Sequence, residues 1–442
     1  MPSNKPPTCH FACRPRSNAT QGRTGAALDS TSAQVPYFLI LPRAPNHSLA
    51  SARVSLAWAA LACALLLLWQ FLNVHYNRED NWTALFLTGE AFPAPPELAA
   101  STYRFPGDGY DGQFYRYVAH DPLLRRGTQR YLDAPRQRYR RILVPALAFV
   151  LAAGRQPWID GAYIAVIALF VLLGAYWLSR WSVLHGHHPG WGLAFLLVPA
   201  TLISMDRMTV DVALAALAVA AAYYWETQSF PQLYGILVLA GLVRETGMLL
   251  AAGCCAYELL RRRLTRSAMW ASAVLPTLAW YVLLQRMLPG QTEQGVPRWY
   301  LWNKDRSLFG YILHPPRYPL PAVREALARS MDAIALVALL AVLLTAVWLL
   351  WRRPVSPMAI SALLFAFVAL GLSGHSMYWV DCNEFARIFS PLMILAALLY
   401  SAYQPVVNTW WLVLVPPVLI DLRLGIQLVS AIGGVLRGLL RL

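Results

Sequence analysis

Residues 107–122 read GDGYDGQFYRYVAHDP and lie in a long polar segment between apolar segments of the chain. The stretch holds three aspartates and four aromatic residues. Long loops in compact proteins are mostly either functional or disordered. This one carries aromatic side chains and spaced carboxylates in place of the residues that promote disorder. The stretch therefore predicts a folded, functional loop, and the apolar segments around it indicate the class of protein.

The composition of the whole chain predicts a membrane protein. Of its 442 residues, 57% are hydrophobic and only 13% are charged, whereas a soluble domain carries about 25% charged residues. Several apolar runs reach about 18 to 22 residues, the length that an α-helix needs to cross a bilayer. We therefore predict an all-α polytopic membrane protein with about ten transmembrane helices and a long first non-cytoplasmic loop.

The formal net charge of +15 is high for a chain with so few charged residues. A basic excess can indicate nucleic acid or an anionic surface as the partner. The sequence contains no nucleic-acid-binding motif, so we do not expect that partner. Topology signals and the anionic headgroups of membrane lipids account for the charge instead.

The distribution of charge and hydropathy predicts the domain organisation. Residues 1–50 are rich in Pro, Ser, Thr and Asn, which predicts a disordered tail. Arginines in this tail favour a cytoplasmic location. A transmembrane domain is expected over residues 51–421, beginning with a helix at Val54–Val74 and including helices at Trp191–Ser204 and Met248–Leu260. The loop at 75–157 then lies on the non-cytoplasmic side.

Three further segments complete this organisation. Arg141–Ala153 is apolar but too short to span a membrane upright, which predicts an interfacial helix within the first loop. Residues 289–330, dense in Trp, Tyr and Pro, predict a second long outer loop. Residues 422–442 place arginines among apolar residues, which favours a C-terminal amphipathic segment.

Ionisable residues inside apolar stretches are the strongest indication of a site. A mid-membrane Arg, Lys or Asp costs about 2.5–3.5 kcal/mol on insertion scales, so such residues face a cavity or a partner. Four clusters qualify, and the topology brings all four to the outer side: Asp108 with Asp111, Arg244 with Glu245, Glu384 with Arg387, and Asp206, Arg207 with Asp211. Structural pairing of the charges remains the alternative for the clusters near residues 244 and 384.

The spacing within two clusters predicts how their charges pair. Glu384 and Arg387, three residues apart, can pair on one helix face. Arg244 and Glu245 are adjacent and point about 100° apart on a helix, so at least one of them needs a partner elsewhere.

The stretch 107–122 has the residue types of a transferase site. Its glycines permit tight turns around Asp108 and Asp111, and a carboxylate held in this way can accept a proton from a sugar hydroxyl. Arginines between Arg138 and Arg141 can hold a phosphate in a bidentate fork. Tyr115 and its aromatic neighbours offer faces for sugar or isoprenoid packing. The alternative interpretation is an aromatic interface loop with turn aspartates.

Metal and nucleotide chemistry are not indicated by the sequence. His185, His187 and His188 lie in one short turn, but no carboxylate or cysteine accompanies them, which favours a solvated turn. Neither a GxxxxGK[ST] phosphate loop nor a GxGxxG fingerprint in a βαβ setting is present. We therefore expect no cofactor and a metal-independent reaction.

The segment YDGQFYRYVA at 110–119 resembles the W-D-x-x-x-[FY]-x-x-I-A pattern of GPI-mannosyltransferase-like members of the GT-C superfamily. Asp111, Tyr115 and Ala119 match this pattern, and Tyr110 stands where the family has Trp. The resemblance extends over the arrangement of segments from about residue 54 to 400 and points to a bacterial branch. It implies that Asp111 is the catalytic base, with Asp108 as a second carboxylate.

Two further segments carry the resemblance. MDRMTVD at 205–211 is similar to the second outer loop of the family, which often holds another acidic residue; Asp206 or Asp211 would fill that place. GLVRETG at 241–247 resembles the helix break, rich in small and cationic residues, that follows in related enzymes. Arg244, Arg387 or an arginine from Arg138 to Arg141 would then stabilise the departing lipid phosphate.

These residues together predict an integral membrane glycosyltransferase, specifically a hexosyltransferase. The resemblance implies transfer of a sugar from a polyprenyl-phosphate donor to an acceptor hydroxyl, with inversion at the anomeric carbon. We expect it in the bacterial inner membrane, with the active site on the periplasmic face. The alternatives are a transporter or flippase for lipid-linked sugars, which paired broken helices would favour, and a non-catalytic scaffold for envelope assembly.

Overall fold

The computed structural model describes residues 49–289, 308–318, 320–352, 355–371, 382–403 and 414–440. All of them belong to one compact unit, residues 46–442. The predicted tail at 1–50 lies outside the described residues except for its last two. Residues 290–307 of the predicted second outer loop also lie outside them.

The chain is an α-helical membrane protein. Among the residues described, three helices are long and apolar enough to cross a membrane: α1 (Leu49–Asn77), α6 (Gln156–Leu184) and α14 (Ala322–Arg352). The number rises to six if each of three bent pairs counts as one span. The predicted class is thus confirmed, while the structure supports three to six spans by length and composition, fewer than the ten we expected.

Bends within apolar segments and the short length of several helices account for the lower number of candidate spans. The segment predicted as one span at Trp191–Ser204 is a 3-10 helix, Pro189–Leu197, bent by 61° from α7, Pro199–Arg207. Helices α11 (Leu264–Ser272) and α12 (Leu275–Met287) differ in direction by 41°. The remaining helices of the bundle have 6 to 26 residues. They are α8 (Asp211–Glu226), α9 (Phe230–Val243), α10 (Met248–Leu260), α13 (Leu308–Leu313), α15 (Pro357–Gly371), α16 (Cys382–Ile388), α17 (Ser390–Tyr403) and α18 (Val415–Leu440).

Helix α1 shows why these segments form a membrane bundle. Its buried face, with Ala59, Ala62 and Leu66, packs against α6. Its opposite face presents large apolar side chains to the outside, among them Leu68 and Phe71. A contiguous apolar face of this kind is unfavourable in water and is stable against lipid.

Helix α8 lies at the centre of the bundle. Every residue from 211 to 223 is buried, and seven of those thirteen are alanines. Small side chains let neighbouring helices approach closely in a membrane, and α6, α9 and α17 all pack against α8. The central helix thereby carries Asp211, its first residue, into the interior of the protein.

The first loop folds into a small cap of short elements. It contains 3-10 helices at Trp82–Phe86 and Thr128–Tyr131, and four helices and two strands between residues 88 and 151. These are β1 (Thr88–Gly89), α2 (Pro96–Ala99), β2 (Arg104–Phe105), α3 (Asp111–His120), α4 (Pro135–Arg140) and α5 (Leu143–Leu151). The two parallel strands pair Thr88 with Arg104 and Gly89 with Phe105, so the cap adds a small sheet to the predicted all-α class.

Helix α18 differs from the predicted boundary at residue 421. A span ending there and a separate surface segment at 422–442 were expected; α18 continues through residue 421 and bends by 52° between Ile426 and Leu428. Its charges explain the difference, because Arg423 lies 3.5 Å from the buried carboxylate of Asp332 on α14. The arginine that suggested a helix end on the surface is thus paired inside the bundle.

Candidate functional site

The backbone around Asp111 is held by close packing in the cap. Gly107 and Gly109 adopt left-handed conformations, as the predicted glycine turns require. A Cβ atom at Gly109 would lie 2.3 Å from the backbone nitrogen of Gly89, so only glycine fits there. The side chain of Gln113 accepts a hydrogen bond from that same nitrogen at 3.1 Å. These contacts fix the start of α3, where Asp111 is the first residue.

The Asp111 carboxylate lies between two buried guanidinium groups. Its Oδ1 is 2.9 Å from Arg138 Nη2, and its Oδ2 accepts a hydrogen bond from Arg387 Nη2 at 2.6 Å. The side chains of Arg138 and Arg387 are 3% and 4% exposed, whereas that of Asp111 is 17% exposed. The carboxylate therefore covers the arginines on the more open side of the site.

The two arginines determine the protonation of Asp111. Burial by itself raises the pKa of this carboxyl, but the charges of Arg138 and Arg387 outweigh burial and leave the pKa well below its usual range. A carboxyl whose pKa is depressed in the folded state stabilises the fold above the unfolded pKa, about 3.9 for Asp. That contribution is lost as the pH falls toward the folded-state value.

Arg387 joins Asp111 to the interior of the bundle. Its Nη1 donates to Asp211 Oδ2 at 3.1 Å, and its Nε donates to Glu384 one turn earlier on α16 at 3.1 Å. The other oxygen of Asp211 is paired with Arg244. A continuous chain of charges therefore runs from the cap through α16 to the start of α8 and the end of α9.

A second branch of the network runs through α4 and the residues after it. Arg138 forms a two-fold contact with Asp133, at 2.8 and 2.6 Å. Arg141 donates to Tyr115 Oη at 2.7 Å and to Glu245 at 3.2 Å. Two parallel N–H···O bonds of the Arg138 type hold a guanidinium in a defined orientation, so Arg138 keeps its place independently of Asp111.

Adjacent Arg244 and Glu245 have separate partners, as their spacing predicts. The chain leaves α9 at Val243, passes Arg244 in an extended conformation and makes a 3-10 turn over Glu245–Gly247 before α10. This break directs Arg244 to Asp211 and Glu245 to Arg141. Because the helix is interrupted here, Arg244 and Glu245 both belong to the same network of ion pairs.

The structure gathers nine of the eleven predicted site residues in this network. They are Asp111, Tyr115, Arg138, Arg141, Asp211, Arg244, Glu245, Glu384 and Arg387. The other two lie elsewhere. Asp108 is exposed, and its backbone carbonyl accepts from Gln113. Asp206 accepts from Trp69 of α1 at 2.9 Å. Of the two acidic residues proposed for the second outer loop, the network contains Asp211.

Two contacts of the site were not predicted from the sequence. Asp133 stands alone in a basic stretch, and nothing in its neighbours indicated that it anchors Arg138. The Tyr110 ring lies 4.4 Å from the guanidinium carbon of Arg207 and 5.0 Å from that of Arg387. A cation–π contact of this kind contributes about 0.5–2 kcal/mol. The position of Tyr110 directly before Asp111 was the feature of the sequence that could have indicated this contact.

A separate ionic cluster anchors the other face of α3. Arg116, fully buried, donates to both oxygens of Asp160 at 2.8 and 2.7 Å. His120 Nε2 lies 3.0 Å from the same carboxylate. Since Asp160 belongs to α6, this cluster ties the helix that begins with Asp111 to a membrane span.

We predict that Asp160→Ala lowers the free energy of unfolding by about 1–3 kcal/mol, because Arg116 stays buried without its carboxylate. Thermal unfolding in detergent measures the change. Asp80→Asn is the matched control, since Asp80 pairs with His75 at an exposed site, where an ion pair contributes little, and Asn tolerates the left-handed backbone at this position. Equal shifts for the two variants would contradict an anchoring role for Asp160.

Across the residues that the structure describes, no three His, Cys, Asp or Glu side chains are grouped to hold a metal ion. In the histidine turn, His185 lies 3.2 Å from Glu226 and stacks on Trp181. Comparison with known proteins finds no matching family model, no matching curated protein and no matching solved structure.

Proposed function

We propose that the protein is an integral membrane glycosyltransferase of the GT-C type. It would move a sugar from a polyprenyl-phosphate donor to an acceptor hydroxyl on the periplasmic face of the inner membrane, with about ten helices embedded in the bilayer. The observation that carries the proposal is the contact of Asp111, a partly exposed carboxylate, with two buried arginines. A carboxylate able to accept a proton and two guanidinium groups able to bind a phosphate thus lie side by side.

The proposed reaction uses these groups in one displacement. The acceptor oxygen attacks the anomeric carbon, and the bond between that carbon and the phosphate oxygen breaks. The electron pair leaves with the polyprenyl phosphate, and the proton of the acceptor hydroxyl passes to Asp111. Arg138 and Arg387 stabilise the charge that develops on the phosphate, as positioned cationic donors do in a site with little water. The donor enters sideways from the lipid.

Transfer of a labelled sugar from a polyprenyl-phosphate donor by the purified protein tests this function. Asp111→Asn is expected to lower the rate about a hundredfold or more, the usual contribution of a general base. Asp108→Asn removes the same charge from the same loop outside the network, so we expect near wild-type turnover. A folded Asp111→Asn variant with unchanged turnover would remove Asp111 from the role of base.

A transporter of lipid-linked sugars is the second candidate. The bent pair at Pro189–Arg207 and the extended break at Arg244 favour it, because discontinuous helices form the substrate sites of many transporters. Movement of a labelled lipid-linked sugar across proteoliposomes, without transfer to an acceptor, would favour this function over the enzyme.

A further inference from the structure

The two roles proposed for the site compete for the same contacts. Asp111 needs an accessible carboxylate oxygen to accept a proton, yet an arginine occupies each of its oxygens. Arg138 and Arg387 need N–H donors directed at a phosphate, yet both direct them at Asp111. In this arrangement the guanidinium donors are bound to Asp111 and are not available to a phosphate, and both oxygens of Asp111 are held by arginines.

The arginines have other partners that keep them in position. Asp133 holds Arg138 through two contacts. Asp211 and Glu384 hold Arg387 at its Nη1 and Nε atoms. Departure of Asp111 would consequently leave both guanidinium groups in place, each with donors directed at the vacated position.

Asp111 is also the member of this contact that can move most easily. Its backbone is held at the start of α3 by the packing of Gly109 against Gly89, so the movement is confined to the side chain. Its side chain is several times more exposed than either arginine. A rotation of one side chain toward water would be enough to open the space between Arg138 and Arg387.

A phosphate fits the vacated position by charge and by shape. A lipid-linked sugar phosphate is a diester with one negative charge, as is the Asp111 carboxylate, so their exchange leaves the charge of the network unchanged. Guanidinium groups accept carboxylate and phosphate oxygens in the same forked geometry. The carboxylate thus has the properties of an internal substitute for a phosphate.

We propose that Asp111 occupies the place of the substrate phosphate in the unliganded protein, and that a phosphate binding between Arg138 and Arg387 displaces it. This inference rests on the proposed function and adds its regulation. The base becomes available only when the donor is bound, because its release frees the carboxylate from both arginines. Its pKa then returns toward the ordinary value of about 3.9, and water is not activated in the absence of donor.

The exchange predicts that substitution of Asp111 improves phosphate binding, although loss of a site residue normally weakens it. Removing the carboxylate should strengthen phosphate binding, because the competitor is gone. If the displaced arrangement is populated at about one part in ten or less, Asp111→Asn should raise the apparent affinity about tenfold or more.

Calorimetric titration of the full chain in detergent with geranylgeranyl monophosphate measures this affinity, and inorganic phosphate in a parallel titration separates headgroup from chain binding. Glu90→Gln controls for the loss of one negative charge in the loop, since Glu90 is an exposed carboxylate of the cap, and we expect wild-type affinity from it. Asp111→Ser provides a second variant without the carboxylate, should Asp111→Asn unfold. Melting temperatures identify folded samples.

An affinity of Asp111→Asn and Asp111→Ser equal to or weaker than that of the wild type overturns the exchange. So does an equal gain in Glu90→Gln, or an absence of binding by every variant. The proposed function depends on a different measurement, the transfer of labelled sugar. If the wild-type protein transfers sugar but its Asp111 variants gain no phosphate affinity, the proposed enzymatic function is kept and the proposed displacement of Asp111 is rejected.

Discussion

Replacing Arg387 with alanine is expected to lower the free energy of unfolding by about 3–5 kcal/mol, the range for removing one partner of a buried ion pair. The value belongs at the upper end because this guanidinium contacts three carboxylates: Asp111, Asp211 and Glu384. Asp211 is itself buried and would keep Arg244 as its partner. Asp111 would lose one of its two arginines. Sugar transfer should be lost in the same variant.

Thermal or urea unfolding in detergent measures the effect, with Arg266→Ala as the control. Arg266 is an exposed arginine on α11, and its removal should leave the midpoint near the wild-type value. Arg387→Lys keeps the charge but not the planar fork, so we expect it to recover only part of the stability. A midpoint for Arg387→Ala within error of the control would show that the network does not stabilise the fold.

The loss should also depend on pH. In the wild type the depressed pKa of Asp111 gives stability above about pH 4 that decreases as the pH falls. In Arg387→Ala the carboxylates of Asp111, Asp211 and Glu384 have lost a neighbouring positive charge. Their protonation at low pH removes repulsion between them and restores part of the variant's stability. The difference in stability between the two proteins should therefore be largest near neutral pH and should narrow below about pH 5.

Part of the site was visible in the sequence because charge in an apolar helix is unfavourable. Arg244, Asp211 and Arg387 stand in or beside apolar segments, and that position alone marks them. Their pairing was not visible. Asp111 and Arg387 are 276 residues apart, and only the tertiary fold brings them together. Asp133 gave no such signal, because it belongs to the polar cap, where a carboxylate is ordinary.

Some elements of the fold were likewise predictable from the sequence, and others were not. Hydropathy and flanking charge predicted α10 at Met248–Leu260, and the structure has the same bounds. The same signal gave a single span at Trp191–Ser204, where the chain bends by 61° ahead of Pro199. The length of an apolar run can be read from the sequence, but a change of chain direction within it cannot. Proline restricts the residue before it away from helical geometry. The described residues therefore contain three to six candidate spans, and the predicted ten are not confirmed, because prolines and charged residues interrupt the apolar runs.

Gly112→Ala is expected to destabilise the protein by about 3 kcal/mol, the upper end of the range for overpacking. Gly112 follows Asp111 in the first turn of α3. A Cβ atom there would lie 2.0 Å from the carbonyl oxygen of Arg207 and 3.0 Å from that of Phe86. Both atoms are backbone, so no side-chain rotation relieves the clash. Helix α3 must move away from α7, and Asp111 moves with it.

Gly161→Ala is the matched control, because Gly161 also lies in a helix but has no atom within 4 Å of an added Cβ. Alanine in place of a helical glycine stabilises by about 0.5–1 kcal/mol, so the two substitutions should shift the unfolding midpoint in opposite directions. Gly112→Ala should also lose the proposed sugar transfer, since movement of α3 carries the Asp111 carboxylate away from the place between Arg138 and Arg387 where the donor phosphate would bind. A Gly112→Ala variant with the stability and turnover of Gly161→Ala would show that α3 and α7 are not in close contact, and that Asp111 is not held where the network requires it.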